Sequence, residues 1–239
     1  MNIEKQEKVK HFSKYIFVVL IMIIASCDSS SDENPVDIGK DYFPMRKGFY
    51  QIYDVNEIIY TLGDPDTFIY QLKTVVIDSF FNTESNYTYV IHRSVRDNAT
   101  EPWTYKDTWS SRVVNDRAIQ AEGNIDFVKL VFPFHVGKKW NGNAFNTLGT
   151  EEYELVGSEP KIFNDVTFAD CITIKQQDNE DFVVYLDQRY ESYAKNVGLV
   201  HNEKTQLVYC TDTNSGCIGQ QIVEEGVIYK QTILIYGVE

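Results

Sequence analysis

No segment of this sequence repeats its apolar residues at helical spacing through three turns between recognisable caps, which excludes a helical bundle. Long apolar runs are missing too. The longest, Tyr15–Ala25, is about half of the roughly 20 residues a helix needs to cross a bilayer. Cysteine is scarce: Cys27, Cys171, Cys210 and Cys217 are too few to hold together a small disulfide scaffold. Histidine is as scarce. His92, His135 and His201 have no further His or Cys at metal-ligand spacing, so neither a structural zinc centre nor any other metal is expected. There is no Gly-x-Ser-x-Gly elbow, no His-Glu-x-x-His pair, no phosphate loop and no dinucleotide fingerprint. No cofactor is expected, and no catalytic residue is assigned. Positive charge is the minority, 22 basic against 35 acidic residues for a net charge of −13, and such a surface repels phosphate backbones. Nucleic acid is therefore not an expected partner.

Aromatic residues are abundant, with 16 Tyr and 14 Phe, enough apolar surface to fold a chain of 239 residues. From Asp41 onward, runs rich in Tyr, Phe, Val and Ile alternate in part with polar residues, the pattern of half-buried strands. Strands are expected at 49–60, 68–80, 87–96, 103–114, 126–134, 151–157, 171–177, 182–193, 206–210 and 227–236. Turn residues separate them, as in Gly63-Asp64-Pro65-Asp66, Glu122-Gly123-Asn124 and 177–181. The expected class is mostly β, an antiparallel curved sheet or half-open barrel, with few short helices, for which Leu186–Ala194 is the one candidate stretch as an alternative to its strand. Cys171, in a strand-like run, reads as a buried apolar residue. One internal echo stands out. Phe43-Pro44-Met45-Arg46-Lys47-Gly48 matches Phe132-Pro133-Phe134-His135-Val136-Gly137 at Phe, Pro and Gly, which suggests two related halves.

The first 40 residues have a different texture. A basic, polar segment precedes Tyr15–Ala25, and small residues lead to a cysteine, as in an exported chain's leader. Ile24-Ala25-Ser26-Cys27 resembles the lipobox of bacterial lipoproteins. On that reading residues 1–26 are a signal peptide and Cys27 accepts a lipid. Residues 27–40, through Asp28-Ser29-Ser30-Ser31-Asp32-Glu33-Asn34-Pro35, form a solvated tether, and 41–239 are a single β-rich domain. Loss of four lysines and two glutamates with the leader leaves a net charge of −15, so membrane attachment rests on the lipid anchor. In an oxidising compartment Cys210 and Cys217, seven positions apart across a turn-rich segment, are expected to close a small disulfide loop; two reduced thiols are the alternative.

Three further segments carry a family resemblance: Tyr42-Phe43-Pro44-Met45-Arg46-Lys47-Gly48, Val136-Gly137-Lys138-Lys139-Trp140 and Tyr193-Ala194-Lys195-Asn196-Val197-Gly198-Leu199-Val200. In order they resemble the signatures of a family of Bacteroidota surface lipoproteins. Met45 in place of Leu, and Tyr50 near the usual Trp, depart from the pattern. The resemblance implies an outer-membrane, lipid-anchored location with the cell surface favoured, and a fold similar to a half-open antiparallel barrel. The acidic residues after Cys27 resemble the surface-export signal of the same group. The enterobacterial rule for Asp after the lipidated cysteine points instead to retention at the inner membrane.

Trp103, Tyr105 and Trp109 are the candidate ligand-binding residues, since odd positions of one strand share a face and exposed, coplanar aromatics grip sugars or apolar groups; buried, they are simply core. Paired acids such as Asp64/Asp66, Glu151/Glu152, Asp178/Asp181 and Glu224/Glu225 sit in expected turns or at strand ends, where solvated acids belong. The leading functional reading is a non-enzymatic binding or accessory module of the cell envelope. Its partners would be the membrane, through the anchor, and a glycan, an apolar ligand or an envelope protein. The alternatives are an envelope glycoside hydrolase using two carboxylates, and a structural subunit of a surface complex.

Overall fold

Alternation decides the fold. Along Phe49–Thr61, Tyr53 and Val55 are buried while Asp54 and Asn56 between them face solvent. The computed structural model describes residues 38–62 and 64–239; the expected leader, Cys27 and the expected tether as far as residue 37 lie outside the described residues. Fourteen strands follow one 3-10 turn, Lys40–Tyr42. The first six are β1 (Phe49–Thr61), β2 (Asp64–Asn82), β3 (Asn86–Arg96), β4 (Thr104–Val114), β5 (Arg117–Glu122) and β6 (Ile125–Val131). Then come β7 (Lys139–Asn141), β8 (Glu152–Ser158), a short flap of β9 (Lys161–Phe163) and β10 (Val166–Phe168), and β11 (Cys171–Asp181). The last are β12 (Tyr185–Ala194), β13 (Gly198–Tyr209) and β14 (Val223–Val238).

Twelve of them form one antiparallel sheet in the order β6-β5-β4-β3-β2-β1-β14-β13-β12-β11-β8-β7, and β9 pairs with β10 alone. The sheet is thus two six-stranded meanders laid side by side and joined where β1 pairs with β14, from Phe49↔Val238 to Tyr60↔Gly226. It curls into a nearly closed barrel. At the seam the Val128 amide of β6 donates to Gly142 O just past β7, at 2.8 Å, and Trp140 Nε1 donates to Val128 O, also at 2.8 Å.

The Phe-Pro echo has a geometric counterpart. Gly48 and Gly137 adopt φ of 81° and 85°, a conformation that residues with a Cβ resist. Each leads into the first strand of its meander. Each donates its amide to the second strand, Gly48 to Val76 O at 2.8 Å and Gly137 to Leu155 O at 2.7 Å. Phe43 and Phe132 are both buried in one core cluster with Leu130, Tyr153, Leu155, Ile172 and Tyr193. Ile38, Tyr42 and Met45 pack on that cluster, so residues 38–45 fill one end of the barrel, and 38–40, expected as the end of the solvated tether, belong to the folded body. The Asn196 amide, in the turn from β12 to β13, fixes this segment by donating to Asp41 O at 2.7 Å.

The mostly-β, half-open-barrel expectation agrees with this architecture; three local expectations do not. Leu186–Ala194 forms a strand, in line with the strand expected at 182–193, and not the short helix that is its alternative. Residues 177–181 continue β11 instead of turning, and the chain reverses at Phe182–Val184, where Asp181 Oδ1 accepts the amides of Val183 and Val184. β5 was not expected, because its turn is Asn115-Asp116, with φ of 46° and 63°, a two-residue hairpin loop built without glycine. β13 begins at Gly198, well before residue 206, for a reason that lies in what it faces.

Candidate functional site

β13 turns Asn202, Lys204 and Gln206 inward, and the barrel interior they meet is polar. Next to the filled end lies a small cavity of about 80 Å³, bounded by Phe43, Met45, Gln51, Tyr53, Leu72 and Ile91. It leads to an outer chamber of about 300 Å³ walled by Glu57, Tyr70, Lys106, Tyr153, Gln176, Arg189, Lys204 and Tyr229. Arg93, Trp109, Glu122, Lys129, Glu191, Asn202 and Gln231 line both, so the two spaces form one lumen. A wider, open cleft of about 680 Å³ lies between the outer ends of β1–β2 and β3–β4, against Ile59, Phe68, Tyr70, Val95 and Lys106.

The lumen is built around a buried lysine. Lys129 Nζ lies 2.7 Å from Glu191 Oε1 and 2.8 Å from Glu122 Oε1. Lys129 and Glu191 come from strands of opposite meanders, β6 and β12. Burial favours the neutral amine, but the two carboxylates outweigh it and hold the ammonium well above the ordinary lysine range. Tyr193 donates its hydroxyl to Glu191 Oε2 at 2.6 Å, completing the shell. The Tyr53 and Tyr193 hydroxyls stay protonated, because burial raises both far above the usual tyrosine value. Tyr53 donates to Leu199 O at 3.0 Å, and the Gln51 amide donates to Val197 O and Leu199 O, both at 2.9 Å.

Across the lumen, the Arg93 guanidinium lies over the Trp109 ring, its Cζ 3.5 Å from the centroid, and its Nη1 reaches Asp107 Oδ2 at 2.8 Å. Its Nε is buried without an acceptor, as is Ser111 Oγ. Arg189, nearer the mouth, is held by Glu151 and Asp187.

The candidate aromatics do not share a face. A bulge at Lys106 lets Arg93 pair with Asp107 while Ser94 pairs with Tyr105, so the inside-outside alternation of β4 reverses there. Trp109 faces the lumen. Tyr105, 61% exposed, packs edge-on against His92, which alternates with the lumenal Arg93, and Trp103 lies under the Arg96 guanidinium before the strand begins. The expected acid pairs stay outside the lumen: Asp64, Asp66, Asp178, Asp181, Glu224 and Glu225 are exposed, Glu151 serves Arg189 and Glu152 pairs with Lys139 at 2.7 Å. Cys210 and Cys217 are joined as a disulfide in the segment between β13 and β14, with Cα atoms 5.8 Å apart. Cys171 is buried and free, its thiol pushed up to about 11 by burial, which suits an unreactive core residue. No group of three or more His, Cys, Asp or Glu able to hold a metal occurs among the described residues.

Sequence reasoning missed the charged centre. Its one visible signal is Lys129, a cation within the otherwise apolar run Phe127–Phe132.

His201 points away from the lumen, opposite Asn202, and its ring stacks on Phe163 of the flap at 4.8 Å. Burial lowers its pKa below 6.5, against the opposing pull of Glu203. The folded chain therefore binds fewer protons than the unfolded chain, and this residue's contribution is complete above pH 6.5 and lost as the pH falls below it. Wild type should lose more stability than His201→Gln between pH 7.5 and 5 in chemical denaturation; parallel profiles would rule the linkage out.

The fold and its lumen define a twelve-stranded antiparallel barrel, almost closed, with a polar interior open at one end. No family model matches the chain, and no curated protein does. Among solved structures, two from Bacteroidales are similar. One is a protein with a YmcC-like fold from Bacteroides fragilis, described as exported: TM-score 0.44, 12% identity, 81% of this chain and 97% of that one. The other, from Parabacteroides distasonis, is described as a lipoprotein: TM-score 0.44, 12% identity, 82% and 98% of the two chains.

Proposed function

We propose that this protein is a lipid-anchored binding module of the cell envelope, whose barrel lumen holds a small polar ligand without transforming it. The observation that carries the binding role is the lumen itself: a chamber of about 300 Å³ behind an open mouth, at the lower end of ligand-site volumes. Its walls are wrong for an acyl chain. Arg93, Lys129, Glu191 and Gln231 are buried there, and an apolar guest would leave their remaining hydrogen-bonding capacity unanswered. They suit a ligand that brings hydrogen-bonding groups of its own.

The two-carboxylate hydrolase is less well supported. Glu122 and Glu191 approach each other only through Lys129, whose ammonium engages both, so neither is free to pass a proton to a leaving group. The envelope location, with the outer-membrane surface favoured, rests on the resemblance of Ile24-Ala25-Ser26-Cys27 to a lipobox and on the acidic residues after it.

Two variants test the reading. Cys27→Ala should move the protein from the membrane fraction to the soluble fraction and remove the diacylglyceryl mass from its N-terminus; unchanged membrane retention would refute the anchor. Gln206→Trp should fill the outer chamber. Small hydrophilic metabolites that shift the indole NMR signal of Trp109 in the full-length protein should no longer do so in that variant. If no metabolite moves Trp109 in the wild type, the lumen is not a binding site.

A further inference from the structure

We infer that the ligand of the lumen is a small organic anion, one presenting a carboxylate or a phosphate. This rests on the reading of the lumen as a binding site, and it follows from which of its charges are already engaged. Each lumenal carboxylate has a partner. Glu191 is held by Lys129 and Tyr193, Glu122 by the same lysine, and Glu57 by the Tyr70 hydroxyl at 3.1 Å. The unmatched groups are positive or hydrogen-bond donors. Lys106 and Lys204 line the outer chamber and form no ion pair among the described residues; the Lys106 ammonium rests 5.4 Å from the centre of the Tyr70 ring.

Arg93 is decisive. The residue is 6% exposed and lines both parts of the lumen. Asp107 takes its Nη1 and Trp109 covers its face, yet its Nε–H has no acceptor. A guanidinium does not give up its proton and cannot accept, so this buried Nε–H calls for an acceptor that the described residues do not supply. Ser111 Oγ, also unpaired, borders the same space. An oxyanion in the outer chamber offers counter-charge to the two lysines and an acceptor beside the Arg93 guanidinium. The setting sharpens the choice. In a chain of net charge −13, unpaired cations gathered in one cavity make the lumen unlike the protein's surface.

The experiment titrates the full-length protein in neutral detergent micelles with glucose 6-phosphate, glucuronate and glucose. The Arg93 Nε–H and Trp109 indole resonances report on the site. Both anions should shift the two signals and bind at least tenfold more tightly than glucose. The ratio between them identifies phosphate or carboxylate as the preferred group. A Lys106→Gln/Lys204→Gln variant should keep the wild-type spectrum and lose about tenfold in anion affinity, with less dependence on salt. Glucose binding as tightly as the anions, or a double variant with unaltered anion affinity, would overturn the anion assignment and leave the lumen as a site for neutral ligands. If none of the three shifts either signal, the anion assignment falls. If a broad panel of polar metabolites also fails, the reading of the lumen as a binding site falls with it.

Discussion

Replacing Lys129 with alanine is expected to remove about 3–5 kcal/mol of folding stability, the cost of leaving a buried partner charged and alone. Glu191 is 3% exposed, and without the ammonium only the Tyr193 hydroxyl would face its charge. Glu122 is more open to solvent and would suffer less. The loss belongs to the broken pair and not to the pair's net worth, since ion and ion together offset much of their desolvation. A Lys129→Met/Glu191→Gln variant, which removes both charges, should therefore be more stable than Lys129→Ala alone. Chemical denaturation of the three proteins decides the matter. A loss below about 1 kcal/mol for Lys129→Ala would mean that water reaches Glu191 freely and that this part of the lumen is not dry.

Gly226→Ala should be nearly as costly, about 3 kcal/mol, for a purely steric reason. Gly226 is paired on both sides, with Tyr60 of β1 and Leu207 of β13, and its φ is 142°. A Cβ there would overlap the Gln206 carbonyl oxygen and lie 2.8 Å from Leu207 Cα. These are backbone atoms in a ladder that cannot yield by rotating a side chain, so β13 and β14 must part locally. Denaturation would show the loss. A variant within about 0.5 kcal/mol of wild type would show that the two strands are looser than their register implies.

Both residues bear on what the sequence makes legible. The barrel was readable wherever one face meets an apolar core and the other meets water, as in Tyr53-Asp54-Val55-Asn56. β13 was read only from residue 206, because Asn202, Lys204 and Gln206 face a polar lumen while Glu203 and Thr205 face outward. Polar residues on both faces erase the alternation that marks a strand. The same polarity that lines the interior hides one of its walls. At β4 one inserted residue, Lys106, interrupts the alternation and puts Tyr105 and Trp109 on opposite faces. The charged centre was harder still, since Arg93, Lys129 and Glu191 meet only when strands far apart in sequence curl together.

The three segments that resemble lipoprotein signatures fall elsewhere. Tyr42–Gly48 and Tyr193–Val200 meet at the filled end of the barrel through the Asn196 amide and Asp41 O, and Trp140 of the middle segment fastens the seam. Such residues secure the architecture. On the proposed reading, ligand choice falls to the polar side chains of the outer chamber, none of which belongs to those segments.

Native mass spectrometry of the protein released gently from membranes tests the central claim most directly. Wild type is predicted to carry a small polar molecule in stoichiometric amount, and Gln206→Trp, with its chamber filled, to carry none. Bare wild-type protein whose lumenal resonances also ignore every polar metabolite offered would contradict the account.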